Sequence, residues 1–180
     1  MFAEVLERFA EGFGYTVGLF AVTLVAAIPL GIIVALCSIT KFKPIRWLTK
    51  VFIWVVRGTP LLLQIIVVTF IPSTVFLLAN KDLADFFGVS IVGLNFIFAA
   101  VAFIINYSAY FAEIFRGGIE GIPRGQHEAA QVLGMKRGQT FFRIILPQVV
   151  KRILAPISNE VITLVKDTSL ARVIGVTELF

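Results

Sequence analysis

Three long stretches of this chain carry no charged side chain. Residues 12–40 are the first, with an apolar body at 13–38. Residues 58–80 are the second, entered from about Val51, and residues 86–112 are the third, most apolar at 91–105. A helix of about 20 apolar residues crosses the ~30 Å hydrocarbon core of a bilayer, so each stretch predicts a membrane-spanning helix. A fourth run, 146–165, reaches across if Lys151 and Arg152 snorkel to the inner surface; it holds one carboxylate, Glu160. The polar region at about 113–146 is predicted to lie outside the membrane. Segment 1–11 places Phe2, Val5, Leu6 and Phe9 at helical spacing with acids opposite. It reads either as a short helix in the membrane interface or as a frayed leader. It is acidic before the apolar run, unlike a cleavable signal.

The loops sort by charge. Lys41, Lys43, Arg46 and Lys50 follow the first run with no acid among them, and Arg116, Arg124, Lys136, Arg137 and Arg143 stand against Glu113, Glu120 and Glu128 in the long polar region. The N-terminus carries Glu4, Glu7 and Glu11 against Arg8, and the loop after the second run carries Lys81 against Asp82 and Asp85. Basic loops face the cytoplasm. The expected topology therefore has the N-terminus outside and 41–50 and 113–146 inside.

Composition narrows the class. Of the residues, 58% are hydrophobic and only 15% charged, against about 25% charged in a soluble domain. The net charge of +5 would suggest nucleic acid in a soluble protein, but the basic inner loops account for it here, so no nucleic-acid partner is expected. A lone cysteine, Cys37, excludes an intrachain disulfide framework. There is no G-x-x-x-x-G-K-[ST] phosphate cradle. The single histidine, His127, lies in the polar region without a second metal ligand beside it. No catalytic set, metal or cofactor is expected within this chain.

Small residues at Gly14-x-x-x-Gly18 and Ala27-x-x-x-Gly31 suit close helix approach. Pro29, Pro60, Pro72, Pro147 and Pro156 fall within or at the ends of the apolar runs. Each removes a backbone donor, and in lipid the freed carbonyl must be met by protein or water. Broken helices of this kind suit a pathway-lining bundle rather than a simple anchor. In the polar region, Pro123 suits a first helical turn, residues 124–133 a helix of about three turns, and Gly134 a left-handed stop. A second helix then starts near Lys136 and runs into the membrane.

That region reads Glu128-Ala129-Ala130, three residues, Gly134, nine residues, Ile144, one residue, Leu146-Pro147. The pattern resembles the EAA loop of the membrane subunits of bacterial ATP-driven importers. Arg57-Gly58-Thr59-Pro60-Leu61-Leu62-Leu63-Gln64 and Asn106-Tyr107-Ser108-Ala109-Tyr110 look like segments of the polar amino acid permeases in that family. So does Asn159-Glu160-Val161-Ile162 followed by Lys166-Asp167-Thr168-Ser169-Leu170. The resemblance covers most of residues 15–180 and points to the histidine, arginine, lysine and glutamine type. It implies an all-α polytopic membrane bundle with the type I importer transmembrane fold, one permease domain over 1–180, in the bacterial inner membrane. Family members have five spans, so four are expected here, with a fifth beginning at about Ala171 and incomplete at Phe180. The resemblance further implies a second permease subunit, identical or related, an ATPase dimer holding ATP and Mg, and an external binding protein delivering an amino acid. Glu128, Ala129, Ala130 and Gly134 would dock into a groove on the ATPase.

Glu160, beside Asn159 and near Thr163, is a costly group in an apolar helix. It reads as a counter-charge for an amino or cationic group of the substrate, or as half of a buried pair with an arginine or a helix end. Asn106 and Tyr107 are its candidate partners in the pathway. Arg57 reads as a lipid-phosphate contact or a cap on the inner end of the second helix. An ion-coupled carrier or channel, or a membrane-anchored assembly factor, is the alternative; the first would work without the ATPase, and the second would transport nothing.

Overall fold

Residues 2–174 are described by a computed structural model. The first helix, α1 (Phe2–Ile39), is 38 residues long and about 57 Å at 1.5 Å per residue. Its part from Gly12 to Ile39 is long and apolar enough to cross a bilayer. Segment 2–11 continues that helix rather than forming a separate element.

The second span is not the straight helix that residues 58–80 suggest. It is a bent pair, α2 (Lys43–Gly58) and α3 (Leu61–Thr74), whose axes meet at 107°. The cause is Pro60, which has no N–H to donate to the Val56 carbonyl and which forces Thr59 into extended geometry, φ −116° and ψ 142°. Helix α3 alone, 14 residues or about 21 Å, falls short of the ~30 Å core. A short helix, α4 (Asn80–Phe87), ends at left-handed Gly88, φ 64°. It takes up residues expected to open the third span.

That span, α5 (Ile91–Glu120), starts instead where Ser90 Oγ accepts the Gly93 N–H. It runs well past the charge-free stretch because Arg116 pairs with Glu113 and Glu120 one turn away on either side. Helix α5 is the axis of the molecule: α1, α2, α3 and α4 all pack on it, as does α8 (Leu146–Asp167). Its buried face alternates small and large residues, Ala99, Ala102, Ala109 and Ala112 with Phe103, Tyr107 and Phe111.

The polar region folds as α6 (Arg124–Val132) and α7 (Arg137–Thr140). A π-turn, Phe141–Ile145, joins α7 to α8, with the Leu146 N–H reaching back to the Phe141 carbonyl. Pro147 explains the widened turn: its ring collides with the carbonyl four residues earlier in a regular α-helix. Helix α8 matches the fourth apolar run in position and is about 33 Å long, but with Lys151, Arg152 and Glu160 along it it is not among the helices long and apolar enough to cross a bilayer alone, Gly12–Ile39 and Ile91–Glu120. Thr168–Ile174 form a 3-10 segment at the expected start of a fifth span; residues 175–180 lie outside the described residues. The described residues contain no β-strand.

Of the two small-residue motifs, the second makes the tighter approach to α5, the first meeting it only through Gly18 and Phe96 at an ordinary 3.6 Å. A Cβ placed on Gly31 would lie 2.7 Å from the Phe111 Cβ and 3.2 Å from the Ser108 carbonyl oxygen, whereas one on Gly14 would meet nothing within 4 Å. Gly31→Ala should therefore lower the thermal midpoint of the detergent-solubilised protein, by an overpacking penalty of about 1–3 kcal/mol. Gly14→Ala should leave the midpoint nearly unchanged.

Candidate functional site

The Pro60 break leaves polar groups inside an apolar body, and the sequence supplies their partners. Gln64 Nε2 donates to the Val56 carbonyl at 2.8 Å, standing in for the N–H that Pro60 lacks, and lies 2.8 Å from Thr59 Oγ1. Thr59 Oγ1 in turn donates to the Val55 carbonyl at 3.0 Å. Gln64 Oε1 accepts from Asn106 Nδ2 on α5 at 3.1 Å. The Arg57–Gln64 and Asn106–Tyr110 motifs are thus two halves of one hydrogen-bonded structure that fixes the bend against the central helix.

Beside this bend lies a cavity of about 470 Å³ between α2, α3, α5 and α8. Small-molecule sites run from about 300 to 1,000 Å³. Asn106, Tyr107, Glu160 and Thr163 all line it, so four of the five residues singled out for the pathway come together. Asn159 does not line it; it is exposed and contributes only its carbonyl, which accepts from Thr163 Oγ1 at 3.0 Å. Asn106 and Tyr107 are buried and already bonded, Tyr107 through its hydroxyl to Asp167 Oδ2 at 2.8 Å.

Two charged residues complete the wall. Arg57 and Asp167 both line the cavity, and neither stood out as a pathway residue in the sequence. Arg57 lies with its guanidinium 5.0 Å from the centre of the Tyr110 ring, on the cavity rim rather than only at a helix end. The usable signal was spacing: Glu160, Thr163 and Asp167 stand at i, i+3 and i+7, one face of a helix. Among the described residues Glu160 has no hydrogen bond or salt bridge, so it is not half of a closed arginine pair. The cavity therefore offers one guanidinium opposite two carboxylates, one of them unengaged.

The loop is built as its sequence suggests, with two differences. Gly134 adopts φ 70°, and the N–H groups of Gly134 and Met135 return to the carbonyls of Gln131 and Ala130, closing α6 in a Schellman turn. At the start of α7 the Lys136 backbone N–H donates to Gln139 Oε1 at 2.9 Å. Pro123, however, is the extended residue preceding α6 rather than part of its first turn. The two alanines also part company: Ala129 is exposed, but Ala130 is fully buried within the chain and has no surface to offer a partner. The outward face is instead Glu128, Ala129, Val132 and Leu133, the last two 88% and 76% exposed. The loop is tied to α8 by Gln148 Nε2 donating to Gln126 Oε1 at 3.1 Å and by Arg152 donating to the Gly121 carbonyl. No cluster of three or more His, Cys, Asp or Glu able to hold a metal occurs among the described residues.

A broken helix pair, a central helix and an amphipathic helix enclosing a polar cavity, with a polar helical loop held to one side, define a membrane permease. The chain belongs to the family of binding-protein-dependent transport system inner membrane components, which its residues 27–180 match. It is 38% identical over 169 residues to the L-cystine transport system permease protein TcyB of Bacillus subtilis, covering 94% of this chain and 66% of that protein. It is 37% identical to the arginine transport system permease protein ArtQ of Bacillus subtilis, with 94% and 71% covered. It is 33% identical to the probable glutamine ABC transporter permease protein GlnM of the same organism, with 96% and 74% covered. The fold matches a crystal structure of an amino acid ABC transporter with histidines at a TM-score of 0.79 and 32% identity, over 99% of this chain and 77% of that one. The chain thus spans from two thirds to three quarters of the length of these relatives. Its kin are permease subunits rather than enzymes, and the match does not favour the ion-coupled alternative.

Gln64→Leu should destabilise the protein by about 1–3 kcal/mol by leaving the Asn106 amide without its partner and the Val56 carbonyl with only the longer bond from Thr59 Oγ1, 3.3 Å. Reversible unfolding in mixed micelles measures this, and a wild-type midpoint would show that the bend is held by other means.

Proposed function

We propose that this chain is the permease subunit of an ATP-driven amino acid uptake system, and that its cavity holds the amino acid on the way through. The observation that carries the reading is the charge arrangement of Arg57 against Glu160 and Asp167 in one cavity. An amino acid is a zwitterion. Its carboxylate suits a guanidinium, which is planar and always charged. Its ammonium group, or a cationic side chain, suits the unengaged Glu160. Burial of charges in an apolar body is tolerated where a pathway or a partner requires it.

The partners follow from this reading. A second permease subunit, identical or related, would close the exposed side of the cavity. An external binding protein would deliver the substrate to the outer end. A separate ATPase pair, holding ATP and Mg, would grip the outward face of α6 in the cytoplasm, with the N-terminus of this chain outside. Closure of the ATPases would draw the loops together. The Gln126–Gln148 and Arg152–Gly121 bonds would carry that displacement into α8, which bears Glu160, and the bundle would change from inward-open to outward-open as rigid bodies.

Glu160→Gln and Asp167→Asn should each reduce uptake of labelled L-arginine by about tenfold or more, the loss of one charge-assisted contact, in proteoliposomes containing the assembled transporter. Unchanged uptake and affinity in both variants would remove the cavity from the substrate path. Gly134→Asp and Glu128→Lys should abolish transport while leaving the chain in the membrane, because the left-handed turn and the docking face are lost. Ala129→Cys should crosslink to the ATPase and Ala130→Cys should not; a reversed pattern would sink the proposed docking face.

A further inference from the structure

Three clefts meet along one face of α5. The cavity described above is the most enclosed of them. A second, of about 510 Å³, is walled by Lys50, Trp54, Glu113 and Arg116, and a third, of about 320 Å³, lies between α5 and α8. Only two residues line all three, Arg57 and Tyr110. Asn106, Tyr110 and Glu113 follow one another at i, i+4 and i+7, so the clefts succeed each other along the helix over about 10 Å. The order runs toward the basic end of the molecule, where Lys50 and Arg116 stand.

From this the geometry points to the Arg57–Tyr110 pair as an inner gate, separating the amino acid site from a vestibule open to the basic side. The guanidinium lies over the Tyr110 ring. That ring is backed by Tyr107, with centroids 6.3 Å apart, and the Tyr107 hydroxyl is fixed by Asp167. The gate leaf is thus anchored to the substrate wall on one side and held by a cation on the other. A cation over a ring is a weaker contact than a cation on a carboxylate. A substrate carboxylate that engages Arg57 would draw it off Tyr110 and free the ring to swing, so that occupancy of the site loosens the gate. Glu113 lines the vestibule with Arg57 and is held by Arg116. The inference rests on the permease reading, since a second subunit is needed to close the open side of the clefts.

The test reads access rather than transport. In a Cys37→Ser background, Thr163→Cys places a thiol on the open side of the amino acid cavity, which the second subunit would cover, and Trp54→Cys places one in the vestibule. Inside-out vesicles carrying the assembled complex are treated with a membrane-impermeant methanethiosulfonate reagent. Thr163→Cys should label slowly. Adding Tyr110→Ala should speed it by about two- to fivefold, the scale of one exposed cation–π contact, and so should Arg57→Gln. Tyr110→Phe keeps the ring and should leave the rate near its starting value, while Trp54→Cys should label rapidly throughout. Equal labelling of Thr163→Cys with Tyr110 and with alanine at 110, or acceleration by phenylalanine equal to that by alanine, would overturn the gate. Should Tyr110→Ala fail to reach the membrane, an unchanged rate in Arg57→Gln would do the same. Because no substrate or nucleotide is involved, such a failure leaves the uptake experiments standing, and a failure there leaves this result standing.

Discussion

A helix that must break inside an apolar body has to find a partner for every backbone group the break exposes. Water is scarce there, and an unmet carbonyl costs several kcal/mol. In this molecule the constraint falls on Pro60, and Gln64 meets it most closely, with a longer bond from Thr59. Gln64 donates to the orphaned Val56 carbonyl and accepts from Asn106. The same amide therefore repairs the break and ties it to the central helix. The cavity opens next to the bend because the bend holds two helix halves apart at 107°.

Helix α5 gives that arrangement its rigidity. Its alanines admit α1 at the distance set by Gly31, and its aromatic residues form a ladder from Phe103 through Tyr107 and Phe111 to Phe115. Tyr107 belongs both to this packed ladder and, through Asp167, to the cavity wall. Packing and site chemistry share a side chain, so a change in one is felt in the other.

The loop lies outside the apolar body yet is not detached from it. Gly118 packs so closely on α8 that a Cβ there would lie 2.3 Å from the Ile153 side chain. The bonds from Gln148 and Arg152 then fix α6 and its approach to the same helix. Displacement of the loop has a short mechanical route to Glu160, one helix length away. The burial of Ala130 shows the same economy: one face of the short helix is used internally and the other is left outward.

Much of this was legible in the chain itself. The apolar runs, the basic loops, the left-handed stop at Gly134 and the helix restarting near Lys136 each follow from local chemistry, namely transfer energy, backbone freedom and capping. The grouping of Asn106, Tyr107, Glu160 and Thr163 was also within reach, because a costly polar group in an apolar helix needs company. What tertiary structure alone decided was geometry between distant segments. The sequence shows a proline near Arg57 but not a 107° turn, nor that Gln64 reaches across it to Asn106, 42 positions away. It shows two adjacent alanines but not which one is buried, and an arginine and a tyrosine but not that one lies over the other. Local chemistry is encoded in neighbouring residues; the direction in which a side chain finds its partner depends on how whole helices pack, which no short segment contains.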